Sequence, residues 1–223
     1  MKPARQTWVH LYLCLSVLAL STSLALGASL KGKVKKKVYY SPAGNFSVPV
    51  PKPRLEKVKI DDAYDEKKGF GAVSFHTLSW SAGEQQGIHY MVLPPEAMTN
   101  QQPDWRGVLE RWLHGFAMQV WFLHVSPKSR VLHEAFASFE GLNALLAEVE
   151  IPEGSFVMEM RTGKRLDSRR GLVIFQKGRY IYMLTTEVHD VSGSGEKTDE
   201  QSGKWMEFTN DLKEFHNSIV FTE

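Results

Sequence analysis

Short segments with the two-residue period of a β-strand recur along the chain from residue 38 onward. They are rich in β-branched and aromatic residues, and Gly, Pro and Ser-rich turns separate them. This alternation restricts the chain to folds built around a sheet whose strands are joined by tight connections. The pattern predicts strands over 38–40, 46–50, 72–80, 87–93, 130–140, 144–151, 156–161, 172–177 and 179–188.

Two stretches instead have the period of an amphipathic helix. The first begins after Asp104, whose side chain is suited to an N-cap, and the second covers 204–217 before a short strand at 219–221. The charged residues 52–69 and the polar residues 189–203 lack periodicity and are predicted to be loops. The fold class expected is therefore α+β, with an antiparallel-rich β-sheet and two amphipathic helices. The apolar positions of the first helix are Trp105, Leu109, Trp112, Phe116, Val120 and Leu123.

The N-terminus has the layout of a secretory signal peptide over residues 1–27. Lys2 and Arg5 precede an apolar run, and Ala25-Leu26-Gly27 offers small residues for cleavage. The alternative is an uncleaved membrane anchor over residues 9–28, a length close to the minimum for a spanning helix. The order of the basic, apolar and cleavage regions predicts an exported protein, periplasmic or secreted, and the anchor alternative would hold it at the membrane. Residues 28–37 are predicted to be a Lys-rich spacer and 38–223 one domain. Five lysines follow the apolar run, a balance of charge that would favour the reverse orientation of an anchor: Lys31, Lys33, Lys35, Lys36 and Lys37.

Charge and cysteine content exclude several function classes. Cys14 is the one cysteine and lies within the leader, so a cleaved chain has no disulfide, thiol nucleophile or thiolate metal ligand. The chain has 27 Lys and Arg against 25 Asp and Glu, and removal of Lys2 and Arg5 leaves 25 against 25. A domain without excess positive charge is a poor general binder of nucleic acid.

No catalytic, metal or cofactor motif is present. The histidines lack the His-Glu-x-x-His spacing of a zinc site, Glu196 interrupts a phosphate-loop-like segment, and there is no Gly-x-Ser-x-Gly. The sequence therefore predicts no catalytic residue and no cofactor, and favours a protein that is not an enzyme. A secreted hydrolase with a site built from dispersed histidines and carboxylates stays open as the alternative. The histidines after the leader are His76, His89, His114, His124, His133, His189 and His216.

A run of basic residues precedes and enters the predicted strand at 172–177. A basic hairpin tip of this kind can contact an anionic envelope component or an acidic protein partner, although solvated charged turns are also common. The candidate contact residues are Arg161, Lys164, Arg165, Arg169 and Arg170.

The order of elements resembles the PsbP/DcrB-like superfamily. The resemblance covers about residues 38–223 and rests on the segments YYSPAGNFSVPVP, FEGLNALLAEVE, GRYIYMLTTEV and FHNSIVF. It implies an α/β/α sandwich and an exported accessory or binding role, and it carries over no catalytic residue. The chain lacks the lipoprotein cysteine of the bacterial branch. Together these observations predict an exported, non-enzymatic accessory or binding protein of the cell envelope.

Overall fold

The computed structural model describes residues 29–51, 58–78, 83–94, 104–154, 163–189 and 201–222. They form two antiparallel sheets, one of seven strands and one of four. The strands are β1 (Lys33–Lys35), β2 (Val38–Tyr40), β3 (Phe46–Pro49), β4 (Lys59–Asp65), β5 (Phe70–Leu78), β6 (Gly83–Val92), β7 (Arg130–Phe139), β8 (Leu142–Ile151), β9 (Ser168–Lys177), β10 (Tyr180–His189) and β11 (Val220–Phe221).

Two helices accompany the sheets. Helix α1 consists of three consecutive segments, Trp105–Glu110, Arg111–Phe122 and Leu123–Val125, and helix α2 is Gln201–Ser218. The expected α+β class with antiparallel sheets is confirmed. Among the described residues, no helix combines the length and the apolar character needed to cross a bilayer.

The seven-stranded sheet has the order β4-β5-β6-β10-β9-β8-β7 and is covered on both faces. Alternate side chains of one strand therefore enter different cores. Leu172 and Ile174 of β9 pack with α1, whereas Val173 and Phe175 pack with the second sheet and α2. Because both faces are buried, the central strands have continuous apolar runs rather than the alternation of a one-sided sheet.

Helix α1 covers one face of the large sheet. Asp104 caps its start, as predicted, by accepting a hydrogen bond from the backbone N–H of Gly107 at 3.0 Å. The segment Arg111–Phe122 is wound as a π-helix, and the N–H of Leu123 bonds to the carbonyl of Met118 five residues earlier. This wider winding changes the buried face, so that Phe122 is buried where a regular helix would have placed Leu123.

The four-stranded sheet, of order β1-β2-β3-β11, and helix α2 cover the other face. Leu212 and Phe215 of α2 enter this core. The helix approaches β9 closely at Gly171, where an added Cβ would lie 2.7 Å from the Cβ of Phe208. A glycine is therefore required at this position for contact between the helix and the sheet.

A buried hydrogen-bond network joins the two sheets at the turn between β2 and β3. The Ser41 hydroxyl donates to Asn45 Oδ1 at 2.7 Å, and it lies 3.1 Å from the hydroxyl of Tyr90. The Asn45 side-chain amide donates to the hydroxyl of Tyr182 at 3.1 Å. Tyr90 and Tyr182 belong to the large sheet, so the polar groups of a short turn fix the position of one sheet on the other.

Two segments differ from the sequence prediction. Residues 59–65, predicted to lie in a loop, form β4, in which Tyr64 is buried against the aromatic cluster of the core. Residues 33–35, predicted to lie in a spacer, form β1 and pair with β2. Main-chain pairing requires no apolar side chain, so the charged composition hid both strands. The leader over 1–27 and the predicted strand at 156–161 lie outside the described residues.

Candidate functional site

The five basic residues singled out by the sequence do not form one exposed cluster. Lys164 and Arg165 are exposed in the connection that precedes β9, whereas Arg169 and Arg170 belong to the strand itself. Arg161 lies outside the described residues. The strand begins at Ser168, four residues earlier than predicted, and this extension takes two of the arginines out of the connection.

Arg170 lies in an ion pair beneath α1. Its Nη2 is 2.7 Å from Glu187 Oε2, its Nε donates to the same oxygen at 2.9 Å, and its Nη2 also donates to Gln85 Oε1 at 3.2 Å. The guanidinium lies 5.9 Å from the ring centroid of Phe122. The Glu187 side chain is 1% exposed, so this pair is shielded from solvent. Burial raises the pKa of Glu187, and the charge of Arg170 opposes that rise.

Arg169 points to the opposite face of the sheet and pairs with a second buried carboxylate. Its Nη1 lies 3.4 Å from Glu148 Oε1, and the Glu148 side chain is 2% exposed. Both arginines therefore neutralise carboxylates that the fold has removed from water. Among the described candidates, Lys164 and Arg165 are exposed on the connection that precedes β9, outside these two ion pairs.

His89 lies between the large sheet and α1. Its ring centroid is 4.2 Å from that of Trp121, and its Nδ1 is buried without a hydrogen bond in the described part of the structure. Burial, with a smaller contribution from the charge of Arg170, lowers the pKa of His89 to about 3. The imidazole is therefore neutral at physiological pH and functions as part of the packing.

Two other histidines contact carboxylates, each in a separate place. His76 Nε2 lies 3.3 Å from Asp61 Oδ2 beside β4, and His114 Nε2 lies 2.7 Å from Glu134 Oε2 on β7. Strands β4 and β7 are the opposite edges of the large sheet, so the two pairs do not combine. Within the described ranges, no three His, Cys, Asp or Glu side chains come together in a way that could hold a metal ion.

The small sheet carries a basic surface that the sequence analysis placed in a spacer. Its five lysines are exposed, and two of them form the turn between β1 and β2 with positive φ angles of 51° for Lys36 and 63° for Lys37. We refer to these residues as the lysine hairpin: Lys31, Lys33, Lys35, Lys36 and Lys37. The run of lysines was visible in the sequence, but the pairing that orders it was not.

The outer face of the small sheet continues this surface. Cross-strand pairing places Lys33 beside Tyr40, Tyr40 beside Ser47 and Ser47 beside Val220, in one row across all four strands. Tyr40 is 45% exposed and Val220 is 65% exposed, whereas the alternate residues of β2 and β3 face the core. We call this face the outer row: Lys33, Tyr40, Ser47 and Val220.

Comparison with known proteins gives distant structural similarity alone. No protein-family profile and no curated protein matches the sequence. A protein from Bacteroides thetaiotaomicron VPI-5482 is 9% identical with a TM-score of 0.41, and the match covers 85% of this chain and 50% of that one. The chain thus spans about half the length of that protein. The protein of unknown function PA94 from Pseudomonas aeruginosa is 9% identical with a TM-score of 0.39, covering 84% of this chain and 95% of that one.

Proposed function

We propose that the chain is an exported, non-enzymatic accessory or binding protein of the cell envelope. The observation that carries the proposal is the use of polar groups inside the fold. Arg169 and Arg170 neutralise buried carboxylates, and His89 is held neutral against an aromatic ring. Groups that are satisfied within the scaffold in this way are not available for proton transfer, which agrees with a sequence that lacks catalytic motifs.

The layered arrangement supports the finer part of the proposal, a PsbP/DcrB-like α/β/α sandwich. Helix α1 lies on one face of the large sheet, and α2 lies on the other together with the small sheet. The order of elements follows the segments on which the sequence resemblance rests. Export rests on the signal-peptide layout of residues 1–27.

The proposed partner site is the exposed connection at Lys164 and Arg165, and the partner is an acidic protein or an anionic envelope component. The test is recovery of a reproducible partner from the envelope fraction with the wild-type chain and with K164E/R165E. The double variant is expected to lose the partner. A control variant, K128E/K213E, reverses two lysines that are exposed elsewhere and is expected to retain it.

Three results would overturn this proposal. They are a protein that resides in the cytosol with its leader intact, the absence of any reproducible partner, and a partner that binds K164E/R165E as well as the wild type. Arg169 and Arg170 are not suitable for this test, because reversal of either charge would disrupt a buried ion pair and destabilise the fold.

The alternative, a secreted hydrolase, is favoured by one contact, the exposed pair between His114 and Glu134. A carboxylate that orients a solvent-accessible imidazole is the arrangement of a general base. The test is turnover of an ester or a glycoside by the wild-type chain, H114A and H124A. His124 is exposed on the same helix, so H124A is the control. Turnover that is lost in H114A and kept in H124A would support a hydrolase over a binding protein.

A further inference from the structure

We propose that the lysine hairpin and the outer row form a surface that contacts a bilayer containing anionic lipid. This surface is separate from the connection at Lys164 and Arg165, and the inference does not depend on the protein partner proposed above.

The turn at Lys36 and Lys37 provides the first argument. Positive φ at both central positions of a two-residue hairpin loop favours Asn-Gly, because glycine has no Cβ and the short polar side chain of asparagine tolerates the left-handed region. This hairpin instead has lysine at both positions, with φ of 51° and 63°. This turn geometry therefore disfavours the two lysines that are present. Residues held in the left-handed region cluster at functional sites such as ligand clamps.

The density and sign of the charge provide the second argument. All five lysines of the hairpin are exposed within a segment of seven residues. Alternation along β1 places Lys33 and Lys35 on the face of the sheet that is turned away from the core. Clusters of four to eight basic residues on the cytoplasmic side of a membrane helix are typical of surfaces that bind anionic headgroups, and the same density of positive charge attracts any anionic leaflet. One carboxylate that contacts this region, Asp62, accepts hydrogen bonds from the N–H of Gly32 and the hydroxyl of Tyr39.

The composition of the outer row favours a bilayer over an acidic protein. Tyr40 and Val220 are two of the large apolar side chains that the described structure leaves exposed, and both lie in the row that begins at Lys33. An aromatic ring with a polar tip suits the boundary between headgroups and acyl chains. The apolar run of residues 9–28 precedes Lys31 directly in the sequence, so a membrane that receives this run would also lie close to the hairpin.

The experiment measures the preference of the full chain for charged vesicles. Binding is compared between vesicles of pure phosphatidylcholine and vesicles with about 30% phosphatidylglycerol, a fraction that gives an anionic surface potential. The readout is the ratio of the two affinities, so that any attachment through the apolar run of residues 9–28 cancels. The wild-type ratio is expected to favour the anionic vesicles and to fall as salt is added.

Two variants separate binding from folding. K31E/K33E/K35E is expected to lower the ratio about tenfold or more, since each lysine near the surface contributes to attraction. K36N/K37G removes two charges but gives the turn its preferred residues, so it is expected to lower the ratio while raising the melting temperature. The matched control K67E/K128E/K213E reverses three lysines outside the hairpin and is expected to keep the wild-type ratio.

Three outcomes would overturn the inference. The first is a wild-type ratio near one, and the second is an equal loss in the matched control. The third is lysine-dependent capture of the chain by immobilised polyglutamate without any preference for anionic vesicles, which would assign the surface to an acidic protein partner instead.

Discussion

At the scale of single residues, this protein buries two carboxylates, Glu148 and Glu187, almost completely. The pair between Arg170 and Glu187 lies beneath α1, and the pair between Arg169 and Glu148 lies on the other face of the same strand. Such pairs contribute little net stability in comparison with apolar residues of the same size, but removing one partner exposes the other to an apolar interior. The two pairs therefore restrict which register β9 can adopt.

The first prediction follows from the difference between replacing a whole ion pair and removing one of its partners. Arg170→Met is expected to lower the free energy of unfolding by about 3–5 kcal/mol, because it leaves Glu187 buried without its cation. The double variant R170M/E187M is expected to recover much of this loss. Urea unfolding of both variants measures the difference, and equal losses in the single and double variants would contradict the account.

The second prediction concerns acid. Burial lowers the pKa of His89 in the folded protein to about 3, from about 6.5 in the unfolded chain. The unfolded state thus binds a proton first as the pH falls, so the stability associated with a neutral His89 is complete above pH ~6.5 and is lost between pH ~6.5 and ~3. At pH ~5 the free energy of unfolding has fallen by about 2 kcal/mol through protonation of His89 in the unfolded chain.

Thermal unfolding at pH 7 and pH 5 tests the contribution of this histidine. H89Q is expected to show a smaller fall in melting temperature between the two pH values than the wild type, whatever its stability at pH 7. H124Q, which changes an exposed histidine of α1, is expected to show the wild-type fall. An H89Q variant with the full wild-type dependence on pH would assign the acid sensitivity to other groups.

At the scale of elements, the sequence pattern located the strands that have apolar side chains. It missed the strands whose side chains are mainly charged or polar and which main-chain pairing alone identifies. Strands β7, β8 and β10 begin and end close to their predicted bounds because apolar residues recur along their length. Strands β1 and β4 have mainly charged and polar side chains, and no local signal distinguishes them from loops. The partners of Arg169 and Arg170 were also beyond prediction, since β8 and β10 provide the carboxylates through pairing with β9.

Two glycines provide a matched test of how elements pack. Gly115 lies on the exposed side of α1, and an added Cβ would have no atom within 4 Å. Gly115→Ala is therefore expected to raise the free energy of unfolding by about 0.5–1 kcal/mol through helix propensity. Gly171→Ala is expected to lower it, because its Cβ would lie 2.7 Å from Phe208. Calorimetry measures the change in the free energy of unfolding for each variant. Changes of the same sign in both variants would contradict the close contact between α2 and β9.

At the scale of the whole molecule, the protein consists of two sheets whose contact combines apolar packing with a few buried polar groups. The aromatic rings of both sheets meet in one core, and Phe46 of the small sheet lies 5.4 Å from Tyr90 of the large one. Apolar contact alone would permit the small sheet to slide over the large one. The hydrogen bonds of Ser41 and Asn45 form in one relative position of the two sheets.

Asn45→Ala tests that role. It removes the donor to Tyr182 and leaves buried oxygens without their partner, so we expect a loss of about 1–3 kcal/mol in the free energy of unfolding. The near-ultraviolet circular dichroism of the tyrosines is expected to weaken more than the far-ultraviolet signal. The exposed Asn217→Ala change serves as the control, and a similar effect of both substitutions would show that the network does not fix the position of the sheets.

The pairing of β11 with β3 has a consequence for biosynthesis. Residues 220–221 complete a sheet whose other strands all lie within residues 33–49, so the small sheet depends on a segment that is synthesised much later than the rest of it. The small sheet cannot close before residues 220–221 have left the ribosome. Until then one edge of β3 lacks its main-chain partner, and an unpaired edge of this kind can be joined by strands of other chains.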